Sequence, residues 1–238
     1  LCVCLTLCSC GSNESAEKPS AASSDTVAKD SSPATTAAAG SRDNTPVVLT
    51  GSADGTVTYG NDSVTVDASH TEEGYLMVSY SGSNSKVKLQ ITGSDEITYT
   101  YNLHDGYETF PLTSGSGSYT VGVFENIEGT SYSTLFTQAI DVTIQDEFGP
   151  YLYANQYVNF SADSKVISKA MELSASANDD LEVIENVYNY IITNFTYDYD
   201  KAASVQSGYL PDVDKVFTEN TGICFDYAAV MATMLRTQ

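Results

Sequence analysis

The chain has 238 residues and carries 10 Lys and Arg against 31 Asp and Glu, which gives a formal net charge of −21. Such a charge repels phosphate backbones, so we expect no nucleic-acid partner. The length leaves room for one large domain or two small ones, and we expect two folded units behind an N-terminal tail.

The first ten residues form a short apolar run that contains four of the five cysteines. The run is too short to span a bilayer, and we interpret residues 1–10 as the remnant of a signal peptide. The segment Leu7-Cys8-Ser9-Cys10-Gly11 resembles the bacterial lipobox, which implies lipidation of Cys10. Acyl chains there would anchor the protein to the bacterial cell membrane from the extracytoplasmic side. The alternative is an ordinary secretory signal peptide that is cut nearby.

Residues 11–45 contain mostly Ser, Ala, Thr and Asp, and they are predicted to be a disordered linker because they offer little apolar surface to bury. From residue 46 to 146 the apolar residues alternate with polar ones, which is typical of half-buried strands. Turn-forming residues separate these strands at the spacing of an antiparallel β-sandwich. The alternation is clearest in four segments, 75–80, 86–91, 97–101 and 119–123. We therefore predict an immunoglobulin-like β-sandwich over residues 46–146.

The two histidines of the chain, His70 and His104, lie in polar, turn-like stretches without a second ligand at metal spacing. We predict that both are solvated loop residues. Paired carboxylates of the last ninety residues are an alternative cation site, since calcium takes several oxygen ligands, but solvated carboxylates are the preferred interpretation in so acidic a chain. These carboxylates are Asp198, Asp200, Asp212 and Asp214. No metal and no cofactor is predicted.

After Asp146-Glu147-Phe148-Gly149-Pro150 the period becomes helical, and residues 151–238 are predicted to form a second unit. A first helix is expected from Ser164 to Ala175, with an inner face of Val166, Ile167, Ala170 and Met171. A second helix is expected after a cap at Asn178-Asp179-Asp180. Its core stripe follows the spacing i, i+3, i+4, i+7, i+8, i+11 and comprises Ile184, Val187, Tyr188, Ile191, Ile192 and Phe195.

Cys224 stands alone at the start of a third periodic segment, directly after the turn Asn220-Thr221-Gly222. On this predicted helix, Cys224 shares one face with Ala228, Met231, Ala232 and Leu235. The positive end of a helix favours a thiolate, and the free amides of its first turn can receive an oxyanion. Cys224 is therefore the candidate nucleophile, and the alternative is a buried cysteine that acts as a small hydrophobe. Asp226 is interpreted as a residue that orients the helix or interacts favourably with its dipole, and not as a catalytic residue.

The run from Leu181 to Arg236 resembles the opening of a bacterial transglutaminase-like domain. The matching motifs are an amphipathic helix, then Asn194-Phe195-Thr196-Tyr197-Asp198, then Pro211-Asp212, and finally Gly222-Ile223-Cys224-Phe225-Asp226-Tyr227-Ala228. The resemblance implies a papain-like fold in which Cys224 attacks an acyl carbon, assisted by a histidine and an Asp or Asn on later strands. The fold class expected for the whole chain is α+β and multidomain, with the β-sandwich followed by the helical front half of a papain-like domain.

The histidine and acid of the family have no match, because both are expected downstream and only 14 residues follow Cys224. A free thiol is only a few per cent ionised at neutral pH, and a helix terminus alone supplies too little free energy to change this. We therefore expect this chain to be inactive as it stands. The full-length protein is expected to be a cysteine hydrolase or acyltransferase that acts on protein or cell-wall peptide amides. The alternative is a non-catalytic binding or scaffold lipoprotein.

Overall fold

The computed structural model describes residues 39–238. Its first part, up to residue 142, consists of eight strands, and its second part is helical. The strands are β1 Thr58–Gly60, β2 Val64–Asp67, β3 Tyr75–Tyr80, β4 Val87–Thr92, β5 Thr98–Leu103, β6 Gly106–Pro111, β7 Gly117–Glu128 and β8 Ser131–Val142. Short 3-10 helices lie at Thr71–Glu73 and Gly149–Tyr151. Within residues 39–238 no helix has the length and apolar character that a bilayer crossing requires.

The eight strands form two four-stranded sheets in which every neighbouring pair is antiparallel. One sheet has the order β1-β2-β3-β6 and the other β5-β4-β7-β8. Both sheets contribute side chains to one apolar core, for example Val78 and Phe110 from the first sheet and Leu89 and Val121 from the second. The antiparallel pairing follows from the period-two pattern, because alternate side chains of each strand reach the shared core.

Strand β4 alternates strictly between buried and half-buried residues, as expected for a strand with one core face. Strand β3 differs, because Tyr75 and Met77 on its other face are also buried. The chain that leads towards the helical part covers them: the ring of Tyr75 lies 4.4 Å from that of Tyr153, and Met77 and Ala154 line the same cavity. A pattern within β3 alone could not reveal this cover, since it comes from residues more than seventy positions later.

The helical part contains five helices and one pair of very short strands. The helices are α1 Lys165–Ser174, α2 Asp180–Asn194, α3 Tyr199–Ser204, α4 Val213–Glu219 and α5 Cys224–Arg236. The strands are β9 Thr196–Tyr197 and β10 Thr221–Gly222, which pair in parallel. Helix α5 packs against α1, α2 and α4, so it is the central element of this part.

The capping prediction for α2 is confirmed, because the side chain of Asp179 accepts a hydrogen bond of 2.9 Å from the backbone N–H of Glu182. The predicted inner faces are only partly correct. Met171 of α1 is exposed, and so are three residues of the α2 stripe, Ile184, Tyr188 and Ile192. Val183 is buried instead, because α1 and α5 contact only one side of α2 and the buried stripe is narrower than the apolar one.

The linker predicted for residues 11–45 is described only from residue 39 onwards, and its last residues differ from the prediction. The backbone N–H of Gly40 donates to Ala175, and the side chain of Asn44 donates to the carbonyl oxygen of Ser174. Arg42 pairs with Asp180 at 2.6 Å. The linker was predicted to be disordered because its polar composition offers no side chains for a core. The observed contacts do not need apolar residues, because they are hydrogen bonds to the ends of helices.

Candidate active site

Cys224 is positioned by the two short strands that join separate parts of the helical region. Strand β10 follows α4, and the residue that caps the C-terminus of α4, Asn220, adopts a left-handed conformation with φ of 50°. Asn220 accepts a hydrogen bond from the backbone of Thr196, and Gly222 accepts one from the backbone of Asp198, both at 2.9 Å. Helix α5 then begins at Cys224 itself, whose side chain is exposed. The thiol therefore lies in the first turn of the helix and is open to solvent.

The face of α5 that packs on the other helices is not the one that carries Cys224. Its buried residues are Asp226, Ala229, Val230, Thr233 and Met234. On the face that the sequence pattern groups with Cys224, Cys224 and Ala228 are exposed, and Met231, Ala232 and Leu235 are half-buried. The alternative of a buried cysteine is therefore wrong, and the thiol is accessible to a second molecule.

The first turn of α5 contains a fully buried carboxylate, that of Asp226. Its Oδ2 atom accepts a hydrogen bond of 2.6 Å from Nζ of Lys201 and one of 2.8 Å from the backbone N–H of Ile223. Its Oδ1 atom accepts a hydrogen bond of 2.6 Å from the hydroxyl of Tyr209. Both oxygens are thus bound by donors from three parts of the chain, which is what a buried charge requires.

Burial by itself would raise the pKa of Asp226, but the hydrogen bonds from Lys201, Tyr209 and Ile223 outweigh it and hold that pKa below its ordinary value. For Lys201 burial acts in the opposite sense, and the bonds to Asp226 and Tyr209 raise its pKa overall. Burial, followed by the bond to Asp226, raises the pKa of Tyr209. At neutral pH the group is therefore a carboxylate, an ammonium and a neutral phenol.

Gly222 is required by this arrangement. A Cβ atom at this position would lie 2.7 Å from Cβ and 2.8 Å from Oδ2 of Asp226, closer than side-chain contacts normally allow. The glycine before Cys224 thus makes room for the carboxylate that binds the backbone of Ile223. Ile223 itself offers no side-chain acceptor to the helix start, which leaves the first-turn amides without an N-cap side chain.

Aromatic side chains surround the start of α5. The ring of Phe225 lies 5.9 Å from Tyr157 and 6.4 Å from Tyr209. The ring of Tyr227 lies 5.5 Å from Phe195 and 6.2 Å from Tyr197. Among residues 39–238, the hydroxyl of Tyr227 is buried without a hydrogen-bond partner. The site therefore consists of an exposed thiol at a helix start, and this helix start is held in place by aromatic rings and by the ion pair of the half-buried Lys201 with the buried Asp226.

The two histidines are not simply solvated, and for His70 the sequence-based prediction is wrong. Its Nε2 atom lies 2.8 Å from Asp54 and 3.1 Å from Ser52, and its Nδ1 atom lies 3.3 Å from Glu73. Its ring also stacks on Tyr75. Asp54 and Ser52 lie 16 and 18 residues before His70, and Glu73 lies three residues after it across a turn. The residues next to His70 in the sequence therefore did not indicate these contacts.

His104 is half exposed, and its Nδ1 atom lies 3.0 Å from Glu108. It lines a cavity of about 210 Å³ between the β part and the helical part, together with Asn102, Tyr157 and Tyr209. Both histidines therefore belong to the β part, and each is bound to a carboxylate. Neither is hydrogen-bonded to Cys224.

Of the four carboxylates that were weighed as a cation site, three bind backbone N–H groups and the fourth, Asp200, is exposed. Asp198 caps α3 and Asp212 caps α4, each accepting a hydrogen bond from the backbone three residues later. Asp214 accepts from the backbone N–H of Lys165 at the start of α1. Over residues 39–238 no cluster of three or more His, Cys, Asp or Glu side chains has the arrangement of a metal site. The predicted lipidation site, Cys10, lies outside the described residues.

Sequence reasoning missed Lys201 and Tyr209 entirely. Both lie in the stretch between β9 and α4, which has no clear periodicity, and they reach Asp226 over separations of 25 and 17 residues. The one available signal was compositional, because Lys201 is a rare basic residue in a very acidic chain.

The comparison with protein families is consistent with this geometry. Residues 167–238 match the model of the transglutaminase-like superfamily, a segment that begins within α1 and includes α2 to α5 with Cys224. The helical part therefore contains a transglutaminase-like segment, and the match supports a papain-like fold for it. None of the curated proteins compared with the chain matches it.

Proposed function

We propose that the helical part belongs to a thiol-dependent hydrolase or acyltransferase domain in which Cys224 is the nucleophile. The observation that carries this proposal is the exposed thiol in the first turn of α5, inside the segment that matches the transglutaminase-like superfamily. The proposed substrates are amides of proteins or of cell-wall peptides.

In the proposed reaction, Sγ of Cys224 attacks the amide carbon and forms a carbon–sulfur bond, while the first-turn amides of α5 receive the negative charge on oxygen. The carbon–nitrogen bond then breaks, and the amine leaves with a proton, so that a thioester remains. Water or a second amine attacks the thioester and restores the thiol. This scheme requires a base for the thiol proton.

Neither histidine of the chain is placed to serve as that base, because neither His70 nor His104 is hydrogen-bonded to Cys224. The family resemblance implies a histidine later in sequence than Cys224. We therefore propose that the chain of 238 residues turns over substrate very slowly or not at all. Release of ammonia or amine from peptide amides at a useful rate by this chain would contradict this part of the proposal.

The proposed setting is the outside of a bacterial cell membrane, with Cys10 lipidated and the β part forming an immunoglobulin-like sandwich. Support for the sandwich comes from two antiparallel sheets that share one apolar core. Support for the anchor is limited to the lipobox-like sequence around Cys10. In this setting the β part would hold the thiol-bearing part away from the membrane or bind a partner.

The nucleophile can be tested without turnover, by acylation with p-nitrophenyl acetate at pH 7. Trypsin releases the peptide Val216–Arg236, which contains Cys224, and Leu1–Lys29, which contains the other four cysteines. We expect Cys224 to be acylated about two- to fivefold faster than those cysteines, since a helix start favours the thiolate by about 0.3–1 kcal/mol. Cys224→Ala should abolish the fast phase, and Cys10→Ala, the matched control, should leave it unchanged.

The second candidate function is a non-catalytic binding or scaffold lipoprotein. It is favoured because neither histidine of the chain is hydrogen-bonded to Cys224. The acylation experiment separates the two candidates, because a scaffold gives no reason for Cys224 to react faster than the cysteines of Leu1–Lys29. Equal rates would therefore overturn the catalytic proposal.

A further inference from the structure

The carboxylate of Asp226 presents an electrostatic problem for the thiol of Cys224. Both residues lie in the first turn of α5, and Asp226 is completely buried. If Cys224 acts as the proposed nucleophile, its thiol must ionise close to the negative charge of the buried Asp226 carboxylate. Two like charges in one helical turn disfavour each other, and this opposes ionisation of the thiol, even though Cys224 itself is exposed.

Lys201 supplies the opposite charge. Its ammonium lies 2.6 Å from Oδ2 of Asp226 and 2.6 Å from the hydroxyl of Tyr209, and it stacks over the Tyr209 ring at 4.4 Å. Asp198 fixes the backbone of Lys201, because its side chain accepts from the Lys201 N–H at 2.8 Å. The hydrogen bond to its backbone fixes the position of Lys201, and the Tyr209 ring fixes its ammonium next to the carboxylate of Asp226.

We propose that Lys201 is a positioning residue for Cys224: it neutralises the buried Asp226 carboxylate, so that the start of α5 remains favourable for a thiolate. Lys201 is not hydrogen-bonded to Cys224 and acts through Asp226. This inference rests on the proposed role of Cys224, but its test measures ionisation of the thiol and does not need catalysis.

Other titratable groups near the helix start are accounted for as follows. Tyrosines from three elements pack there, and burial raises the pKa of Tyr157, Tyr209 and Tyr227, so these three are neutral at pH 7. Asp198 lies at the N-terminus of α3, where its side chain caps the helix that carries Lys201. The charged groups bonded to one another at this position are Asp198, Lys201 and Asp226, and two further titratable residues, Lys88 and His104, line the cavity that Tyr157 and Tyr209 border.

The test is a double-mutant cycle on the pH dependence of alkylation. The full chain and its variants react with iodoacetamide between pH 5 and pH 10, and the rate is followed on the peptide Val216–Arg236, in which Cys224 is the single cysteine. Lys201→Met removes the positive charge, Asp226→Asn removes the negative charge, and the double variant removes both. Lys201→Arg retains the charge and tests rescue. Circular dichroism establishes that each variant is folded.

We expect Lys201→Met to move the midpoint of the pH–rate profile upwards by about one unit, which makes alkylation at pH 7 about tenfold slower. Asp226→Asn should move it downwards, because Lys201 then remains as an unbalanced positive charge. The double variant and Lys201→Arg should both return close to the wild-type midpoint.

A purely structural role for Lys201 predicts a different result for the double variant. In that case the additional change Asp226→Asn would not restore the midpoint that Lys201→Met displaces. An unchanged midpoint in Lys201→Met, or a double variant as far displaced as the single one, would overturn the inference. If Lys201→Met does not fold, Asp226→Asn decides alone, and an upward displacement there would refute it. Slow acylation of Cys224 with an intact charge cycle would reject the proposed function and leave this inference standing.

Discussion

At Asp226 a single side chain combines three tasks at the start of α5. Its carboxylate binds the backbone of Ile223, pairs with Lys201 and accepts from Tyr209. Buried ion pairs often contribute little net stability, because desolvation offsets their attraction. The effect of this ion pair is mainly geometric, because Asp226 connects Lys201 of α3 and Tyr209 of the following loop to Ile223, the residue before Cys224. Removal of one partner alone leaves an uncompensated buried charge.

His70 makes the β part sensitive to pH. Burial alone would lower the pKa of His70, but the hydrogen bonds to Asp54 and Glu73 raise it above the ordinary value of 6.5. A group whose pKa is raised on folding stabilises the fold fully below its unfolded pKa and loses that contribution as the pH rises through the folded pKa. We therefore expect the free energy of unfolding to contain a term that decreases as the pH rises above 6.5.

The measurement is urea unfolding, followed by circular dichroism at several pH values between 5.5 and 8.5. His70→Gln should remove most of the decrease, because it removes the ionisable group. His104→Gln is the matched control and should keep the decrease, since His70 and its two carboxylates remain. The same pH dependence in wild type and His70→Gln would show that other groups cause it.

Helix α2 has more apolar residues than its contacts with the other helices bury. Ile191 is 4% exposed and packs in the helical core, whereas its neighbour Ile192 is 55% exposed. Leu181, Ile184 and Tyr188 continue the exposed stripe along the helix. The two adjacent isoleucines therefore form a matched pair that differs in burial and not in residue type.

Ile191→Ala should cost about 3 kcal/mol of unfolding free energy, because it leaves a cavity among the packed helices. Ile192→Ala should cost less than about 1 kcal/mol, because little surface is removed from water at that position. Chemical denaturation of both variants under identical conditions measures the difference. Equal losses would mean that the outer face of α2 is covered in solution by a partner or another copy.

At the scale of the whole molecule, the net charge of −21 dominates the long-range electrostatics. Like charges spread over the surface repel one another and destabilise the compact state, and dissolved salt screens this repulsion. We expect the urea midpoint to rise when sodium chloride increases from about 10 mM to about 500 mM, where the screening length falls to a few ångströms. A lower midpoint at high salt would show that attractive surface ion pairs outweigh the repulsion.

The β part and the helical part are connected by more than the chain between them. The side chain of Gln156 donates to the carbonyl oxygen of Asn102 at 2.6 Å and to Glu108 at 2.7 Å. Tyr153 binds Glu73 through its hydroxyl, and Arg236 of α5 donates to the carbonyl oxygen of Tyr153. These bonds are polar and made by single residues, so no pattern in the sequence could predict that the two parts meet here.

Local properties were readable from the sequence. Strand β3 was predicted with its observed limits, the cap of α2 was predicted within Asn178-Asp179-Asp180, and Cys224 was predicted at the start of a helix. Each depends on neighbours within a few positions, through side-chain alternation, a capping hydrogen bond or helical period. For such features, nearly all the interacting residues lie within one turn or one strand of each other in the sequence.

Only the tertiary structure decided which faces are covered and which charges meet. An apolar residue such as Ile192 has the same pattern whether or not another helix packs on it, and the pattern of α5 did not show that Cys224 is exposed. Lys201 and Asp226 are 25 residues apart, and their encounter depends on how α3, the loop and α5 fold back on each other. Burial and pairing of this kind are properties of distant segments in contact, and local periodicity contains no information about them.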